Sequence, residues 1–327
     1  MERKRYEFVL EAAQPIAHHA ESIGNEAIAM RRKLRTKDGW ADIPIVSADT
    51  MRHGMREAAA YCFLDAAGLI GSHLTENALR LLFAGGAVSG KGDAGTVSLD
   101  QFRELADLMP SLALFGGCAS NRVIPGRLNV EDATLICEET LRHIPTWAVD
   151  AHLELYGDPL SHRAHMEEVQ RVRMDPTLNP EKRKLLTDGD RQAVEHKMLR
   201  SEAGHDAADH AQIAEAKSSM MPRRFERIAQ GSLFFWGCEA RVYSDLELDT
   251  FNVAVASFLR NAQVGGKRGT GHGTLKPVAA WNIKLNRPSD AIDNIETGLA
   301  PRVGELFRAH VAERRGRIEK MLAEVDA

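Results

Sequence analysis

Apolar and polar residues alternate over 6–12 and again over 234–243, which is the pattern of half-buried β-strands. Residues 274–285 contain enough Val, Ile, Leu and Trp for a third strand, although Pro277 argues for an edge position or a bulge. Residues 127–137 are predicted to form a fourth strand. The chain therefore has the material for a sheet built from segments that are far apart in sequence.

Two amphipathic helices are predicted, each with apolar residues at the helical period. The first begins at Asp49-Thr50 and buries Met51, Met55, Ala58, Ala59, Cys62 and Ala66. The second begins at Asp249, a good N-cap residue, and buries Phe251, Ala254, Val255, Phe258, Leu259 and Ala262. With the insertions removed, the order of elements is βαββαβ, which predicts an α+β protein with a ferredoxin-like, RRM-like core.

Residues 161–230 are highly charged, poor in large apolar side chains and interrupted by three prolines. Such a segment buries little core, so it is predicted to protrude as an insertion with some helix, at 190–217. Further helices are predicted at 74–83, 99–108 and 299–325. The run HDAADH in the insertion has i, i+4 pairs of His and Asp, but an exposed helix face is commoner than a metal site and no metal is predicted.

A glycine-rich loop, 265–273, separates the second helix from the last strand. Five of its nine residues are glycine, and Lys267 and Arg268 are its cations. Glycine clusters occur where the backbone needs positive φ or must approach another group closely. One interpretation is a long helix cap and turn. The other is an anion-binding loop whose amides and cations hold phosphates.

Two more cationic segments lie earlier in the chain. The first runs from Arg31 to Lys37 and is either a solvated hairpin or a strand that contacts phosphates. The second is the start of the first helix, where Arg52 and Arg56 lie four residues apart on one face. The free N–H groups and the dipole of a helix start also favour an anion.

A separate glycine-rich segment, 85–91, matches the phosphate-binding pattern G-x-x-x-x-G-K. A glycine stands where the magnesium-binding Ser or Thr is needed, and a helix rather than a strand is predicted before it. A nucleotide-binding enzyme is therefore not predicted from this run.

Composition indicates an ordinary soluble protein, with 44% apolar and 27% charged residues and a formal charge of −4. This charge excludes a generally basic protein, so a nucleic-acid site must be a local basic stripe. The four cysteines have no C-x-x-C spacing, which excludes the usual zinc fingers and favours a reducing compartment. A signal-peptide pattern and a long apolar run are both missing from the sequence, so a cytoplasmic protein is expected.

Four short segments, 48–56, 114–117, 126–133 and 265–273, resemble motifs of the RAMP superfamily of CRISPR effector proteins, specifically of the backbone subunits that polymerise along crRNA, with type IV the most similar. Residues 48–56 (ADTMRHGMR) resemble that family's G-S-S-L-K-G-x-L-R helix start. Residues 114–117 (LFGG) and 126–133 (GRLNVEDA) are similar to its L-F-G…G-R-L-x-V-x-D-A block, and 265–273 resembles its glycine-rich loop. The resemblance covers nearly the whole chain.

The resemblance implies a palm formed by 1–68, 111–160 and 231–327, with a helical finger insertion at 69–110 and a thumb insertion at 161–230. It implies a crRNA-binding subunit that oligomerises head to tail along the guide and presents it for pairing with a target. Met220 and Met221 are the candidates for a wedge between guide bases. The full predicted RNA-binding set is Arg31, Arg32, Lys33, Arg35, Asp49, Thr50, Arg52, His53, Arg56, Arg122, Met220, Met221, Arg223, Gly265, Gly266, Lys267, Arg268 and Gly269.

The partners implied are crRNA, target DNA or RNA through the guide, other copies of the chain, and other CRISPR effector subunits, with a helicase as an accessory. No membrane partner is expected. No cofactor is expected either.

The resemblance also implies that this subunit does not cleave. Type III backbone subunits carry a target-cutting aspartate in a pattern like I-G-G-x-D, and the matching run here, 23–27, ends in Ala27, with Glu26 beside it. The alternative left open is a RAMP endoribonuclease that processes the guide RNA, with His18, His19 or His53 as general base.

Overall fold

The computed structural model describes residues 1–23, 26–86, 99–119, 122–173, 180–203, 221–282, 287–288 and 304–324. The strands are β1 (Glu2–Ala12), β2 (His19–Ile23), β3 (Glu26–Ala29), β4 (Arg31–Thr36), β5 (Gly39–Val46), β6 (Gly117–Ala119), β7 (Arg122–Ile124), β8 (Leu128–Val130), β9 (Ala133–Leu135), β10 (Met166–Arg173), β11 (Met221–Ile228), β12 (Leu233–Val242), β13 (Ala262–Gln263), β14 (Thr274–Asn282) and β15 (Arg287–Pro288). The helices are α1 (Ala48–Ala66), α2 (Glu76–Ala84), α3 (Leu99–Leu108), α4 (Pro110–Phe115), α5 (Thr146–Tyr156), α6 (Pro180–Arg183), α7 (Asp188–Ala203), α8 (Asp245–Arg260), α9 (Glu305–Glu313) and α10 (Arg315–Glu324).

The chain divides into two compact units. The main unit holds residues 1–18, 30–166 and 228–327, and the small unit holds 19–29 and 167–227. The small unit overlaps the segment 161–230 predicted as a thumb and adds residues 19–29, which the sequence interpretation had assigned to the palm.

The centre of the main unit is an antiparallel sheet with the strand order β14-β1-β12-β9. Since α1 lies in the chain between β1 and β9, and α8 between β12 and β14, this is the ferredoxin-like arrangement. The predicted α+β fold with insertions is confirmed. β13 extends the sheet at one end, and the hairpin β4–β5 extends it at the other.

The two helices predicted from apolar periodicity pack against the apolar face of this sheet. Trp236 of β12 stacks on Phe8 of β1, with 5.8 Å between the ring centroids, and meets Phe258 of α8 edge to face. Gly54 of α1 lies so close to the ring of Phe258 that an added Cβ would stand 2.5 Å from it. This glycine lets the two helices approach over a core of fully buried aromatic side chains.

The helix starts differ from the predicted ones. α1 begins one residue before Asp49 and is capped by Ser47, whose side chain accepts a hydrogen bond from the Thr50 N–H. α8 begins at Asp245 and is capped by Ser244. Asp249, predicted as the N-cap of this helix, is a buried residue inside it.

Pro277 lies at a bulge, as predicted. Val9 pairs with Ala279 while Leu10 pairs with Pro277, so β14 has one more residue than β1 at this point. Residues 127–137 form two short strands, β8 and β9, instead of one, and both pair with β12.

A second apolar cluster of the main unit joins the carboxyl half of α1 to the helices of the first insertion and to those at the chain end. It includes Phe63 of α1, Leu81 of α2, Phe307 of α9 and Ile318 of α10. The described residues of the segment 69–110, predicted as a finger, are thus packed together with the carboxyl-terminal helices. The single helix predicted at 299–325 is two helices within 304–324, separated at Arg314.

The small unit contains a sheet with the order β10-β11-β3-β2, together with α6 and α7. β3 and β11 pair in parallel, with Glu26 opposite Arg224 and Ala27 opposite Phe225. Among the described residues of either unit, no helix is long and apolar enough to cross a membrane.

Candidate nucleic-acid interface

Two consecutive residues of the main unit, Ala17 and His18, connect the three predicted cationic segments. The Gly266 N–H of the glycine-rich loop donates to the Ala17 carbonyl at 2.7 Å, and the Met30 N–H, next to β4, donates to the His18 carbonyl at 2.8 Å. The Ser47 N–H, at the start of α1, donates to Nε2 of His18 at 3.2 Å. The loop, the basic strand and the helix start therefore converge on two residues, through the backbone of Ala17 and the backbone and ring of His18.

The amino terminus of α1 is capped by the chain's own carboxylate. Oδ1 of Asp132 accepts a hydrogen bond from the Ala48 N–H at 2.8 Å, and Oδ2 lies 2.6 Å from the Arg32 guanidinium. Asp132 is almost fully buried, with a side-chain exposure of 6%. The sequence pattern predicted an external anion at this helix start. It indicated no role for Asp132, which lies in the segment 126–133.

Arg52 and Arg56 use their guanidinium groups inside the main unit. Arg52 donates to the carbonyls of Leu128, at 2.7 Å, and Phe115, and Arg56 donates to the carbonyls of Phe115 and Gly116 at 3.1 and 3.0 Å. Burial lowers the pKa of Arg52, and burial together with the charge of Arg52 lowers the pKa of Arg56 to about 10. We assign both residues to holding this backbone and leave them out of the set proposed below to contact RNA.

The basic segment after residue 30 is a β-hairpin. Arg32, Lys33 and Arg35 of β4 are exposed, and Arg31 is half-buried. Lys33 lies opposite Asp42 of β5 in the register, and Arg35 lies opposite Trp40. β4 is the last strand of the main sheet on this side, so its cations line a sheet edge, where charge also discourages pairing with another strand.

The glycine-rich loop has a packed base and an exposed tip. An added Cβ would lie 2.6 Å from the Ala17 carbonyl oxygen at Gly265 (φ +70°) and 2.1 Å from the Val264 carbonyl oxygen at Gly273 (φ +90°). The tip, residues 267–271, is exposed and carries both cations. Guanidinium Nη1 of Arg268 lies 3.9 Å from the Glu57 carboxylate of α1, so the tip reaches the flank of that helix.

Part of the predicted amide cradle is used within the loop itself. The N–H groups of Thr270 and Gly271 donate to the carbonyls of Lys267 and Arg268, at 2.9 and 3.3 Å. Gly273 donates to Pro15 at 2.9 Å. The exposed side chains at the tip are therefore better suited to an anion than these three amides.

The remaining predicted residues are distributed over both units. Asp49 and His53 are exposed on α1, and Thr50 is half-buried. Arg223 is exposed on β11 of the small unit. Met220 and the side chains of Arg122 and Met221 lie outside the described residues.

The histidines considered as general bases have separate positions. His18 belongs to the main unit, where its ring nitrogen accepts from the Ser47 N–H. His19 belongs to the small unit, where its Nε2 lies 2.9 Å from the Glu226 carbonyl oxygen. The two histidines, adjacent in sequence, therefore make their hydrogen bonds within different units.

No family model matches the sequence, and no curated protein matches it either. Among solved structures, the fold is similar to a chain of a structure titled "Type IV-B CRISPR Complex", with a TM-score of 0.53 and 16% sequence identity. The similarity covers 91% of this chain and 99% of that chain. Over nearly its whole length, this protein therefore shares its fold with a chain of a type IV-B CRISPR complex.

Proposed function

We propose that this chain is a RAMP-superfamily backbone subunit of a type IV CRISPR effector complex and binds the guide RNA. The observation that carries the proposal is the convergence of the basic hairpin, the start of α1 and the glycine-rich loop on Ala17 and His18. The fold similarity to a chain of a type IV-B CRISPR complex supports the same conclusion.

The proposed contacts are made by cations of two segments that meet at Ala17 and His18. The first set is Arg32, Lys33 and Arg35 of β4, which are exposed, with Arg31 half-buried; the second is Lys267 and Arg268 of the exposed loop tip. Arg32 lies at ion-pair distance from Asp132, which offsets part of its charge, so Lys33 and Arg35 provide most of the proposed phosphate contact on this strand. Such contacts hold phosphates without reading sequence, and the guide's bases remain available for pairing with a target.

A subunit with so few cations gains affinity by repetition. Copies that associate head to tail along one RNA link many weak contacts, and a repeated interface that does not close gives a filament. The subunit itself does not cleave in this proposal, because the motif resemblance aligns Ala27 with the cutting aspartate of type III subunits. Other CRISPR effector subunits and target DNA or RNA are its remaining partners, with a helicase as an accessory.

Purification without nuclease tests the proposal. The wild-type chain should co-purify with RNA of uniform length in a large particle that loses its RNA as the salt concentration rises. Two double variants, K33E/R35E and K267E/R268E, should each lose most of this RNA while keeping the wild-type melting temperature.

The matched control is R80E/R103E. Arg80 and Arg103 are exposed cations on α2 and α3, each beside a carboxylate of its own helix, and they lie outside the converging segments. This variant should retain the RNA. Wild-type protein free of RNA, or an equal loss in the control, would count against the proposal.

A further inference from the structure

Trp40 is an exposed aromatic residue on the basic hairpin. Trp40 is the second residue of β5, and 69% of its surface is exposed. It lies opposite Arg35 in the register, and the Arg35 guanidinium stands 5.7 Å from the centre of its ring. A single exposed aromatic residue is ordinary on a protein surface, so the case for an occupant comes from what surrounds the ring.

The hairpin holds this ring on an ordered support. Thr36 Oγ1 donates to the Gly39 carbonyl at 3.1 Å and accepts from the Asp38 N–H at 3.2 Å, which fixes the turn. Nε2 of His143 lies 3.0 Å from the Arg35 carbonyl oxygen and ties the hairpin to the chain segment before α5. A platform that is already ordered binds a ligand with less loss of entropy.

Tyr243 offers a comparison within the same chain. It is 63% exposed and also has a guanidinium near its ring, that of Arg127 at 4.7 Å. Arg127, however, donates through both terminal nitrogens to the Glu247 carboxylate, which neutralises it. Among the described residues no carboxylate pairs with Arg35, so the aromatic platform at Trp40 keeps its positive charge.

We propose that Trp40 is a stacking platform for an unpaired nucleobase of the RNA bound by the hairpin. The inference rests on the proposed function and deepens it, because it assigns a base contact beside the phosphate contacts. An aromatic face next to a cationic strand is the combination that binds single-stranded nucleic acid without sequence preference. Lys33 lies two residues along β4 from Arg35, about 7 Å away and on the same face of the strand, so one RNA strand reaches both.

Binding to two oligomers of equal length, an oligouridylate and its abasic ribose-phosphate counterpart, separates base contacts from phosphate contacts. The full chain, stripped of RNA by high salt, is compared with W40A and W40F. W40A should weaken oligouridylate binding about 10-fold, within the range measured for base–aromatic stacking, and leave abasic binding unchanged. W40F should retain most of the affinity because it keeps an aromatic face.

Y243A is the matched control and should bind both oligomers like wild type. K267E/R268E should lose affinity for both oligomers, since it removes phosphate contacts.

Equal affinities of W40A and wild type for the oligouridylate would overturn the stacking role while leaving the proposed function intact. An equal loss of affinity for both oligomers would do the same. A W40A chain that binds RNA normally but no longer self-associates would show that Trp40 meets protein instead. Wild-type protein that binds neither oligomer would overturn the proposed function together with this inference.

Discussion

Oδ1 of Asp132 accepts a hydrogen bond of 2.8 Å from the backbone N–H of Ala48, the first residue of α1. A carboxylate at this position satisfies a helix N–H and favours the helix dipole. Its second oxygen lies 2.6 Å from the Arg32 guanidinium, so one buried side chain both completes the helix start and forms an ion pair with a cation of β4. Asp132 therefore connects the start of α1 to β4 and places the Arg32 side chain beside the helix terminus.

Replacing Asp132 by alanine should lower the free energy of unfolding by about 1–2 kcal/mol, because the substitution removes a helix cap and a buried hydrogen bond. Chemical denaturation followed by circular dichroism measures the change. D42A removes an exposed carboxylate of β5 and should change stability by less than about 0.5 kcal/mol. A D132A variant as stable as D42A would contradict the capping role.

Replacing Arg52 by alanine should destabilise the chain by about 2–3 kcal/mol, since the carbonyls of Leu128 and Phe115 lose a charged donor. R52K should recover only part of this loss, because an ammonium group lacks the planar fork that reaches two carbonyls. Thermal melting of both variants gives the comparison. An R52A chain with a normal melting temperature and impaired RNA binding would return this residue to the RNA-contacting set.

Gly273 and Gly269 should respond differently to alanine. At Gly273 the backbone has φ +90° and an added Cβ would lie 2.1 Å from the Val264 carbonyl oxygen, whereas at Gly269 nothing lies within 4 Å. G273A should therefore cost at least about 2 kcal/mol of stability, and G269A should be nearly neutral. The two melting temperatures, measured side by side, test whether the base of the loop is packed as described.

Glu139 should make the main unit sensitive to acid. Burial opposes its ionised form, but hydrogen bonds from the backbone and ring of His162 and from Ser161 outweigh burial and lower the pKa of Glu139 to about 2. The stabilisation is complete above the ordinary value of 4.5 and is lost as the pH falls towards about 2.

Replacing Glu139 by glutamine removes this ionisation. The stability difference between wild type and E139Q should therefore shrink steadily between pH 5 and pH 2. Urea denaturation at several pH values measures the difference. A difference that stays constant over this interval would show that Glu139 is not held in its ionised form by these donors.

The sheet and its two covering helices were predictable because each has a local period that burial on one face imposes. The length of α1 followed from its apolar stripe, and the bulge in β14 followed from Pro277. A local sequence pattern does not reveal the hydrogen-bond partner of a polar side chain when that partner lies far away in the sequence. Asp249 has the sequence signature of a local cap, yet its carboxylate accepts from the Gly304 and Phe307 N–H groups, and so caps α9, 55 residues further along the chain.

The candidate site was predictable in its segments but not in the direction of its side chains. Arg52 and Arg56 have the spacing of a cationic helix face, and only tertiary packing directs them onto the carbonyls of 115, 116 and 128. A role for Trp40 was not predicted because a single aromatic residue in a charged hairpin forms no periodic pattern. Its signal in the sequence was its position opposite Arg35 across a tight turn.

Lys267 is the one residue other than glycine among the described residues with positive φ, at +60°. A side chain in this backbone conformation costs about 1 kcal/mol relative to glycine, and the loop around it is already rich in glycine. A library selected only for heat resistance should therefore enrich glycine or asparagine at this position. Such a gain in thermal stability would remove the ammonium group. Lysine at this position therefore sacrifices some stability of the fold and keeps a positive charge at the loop tip.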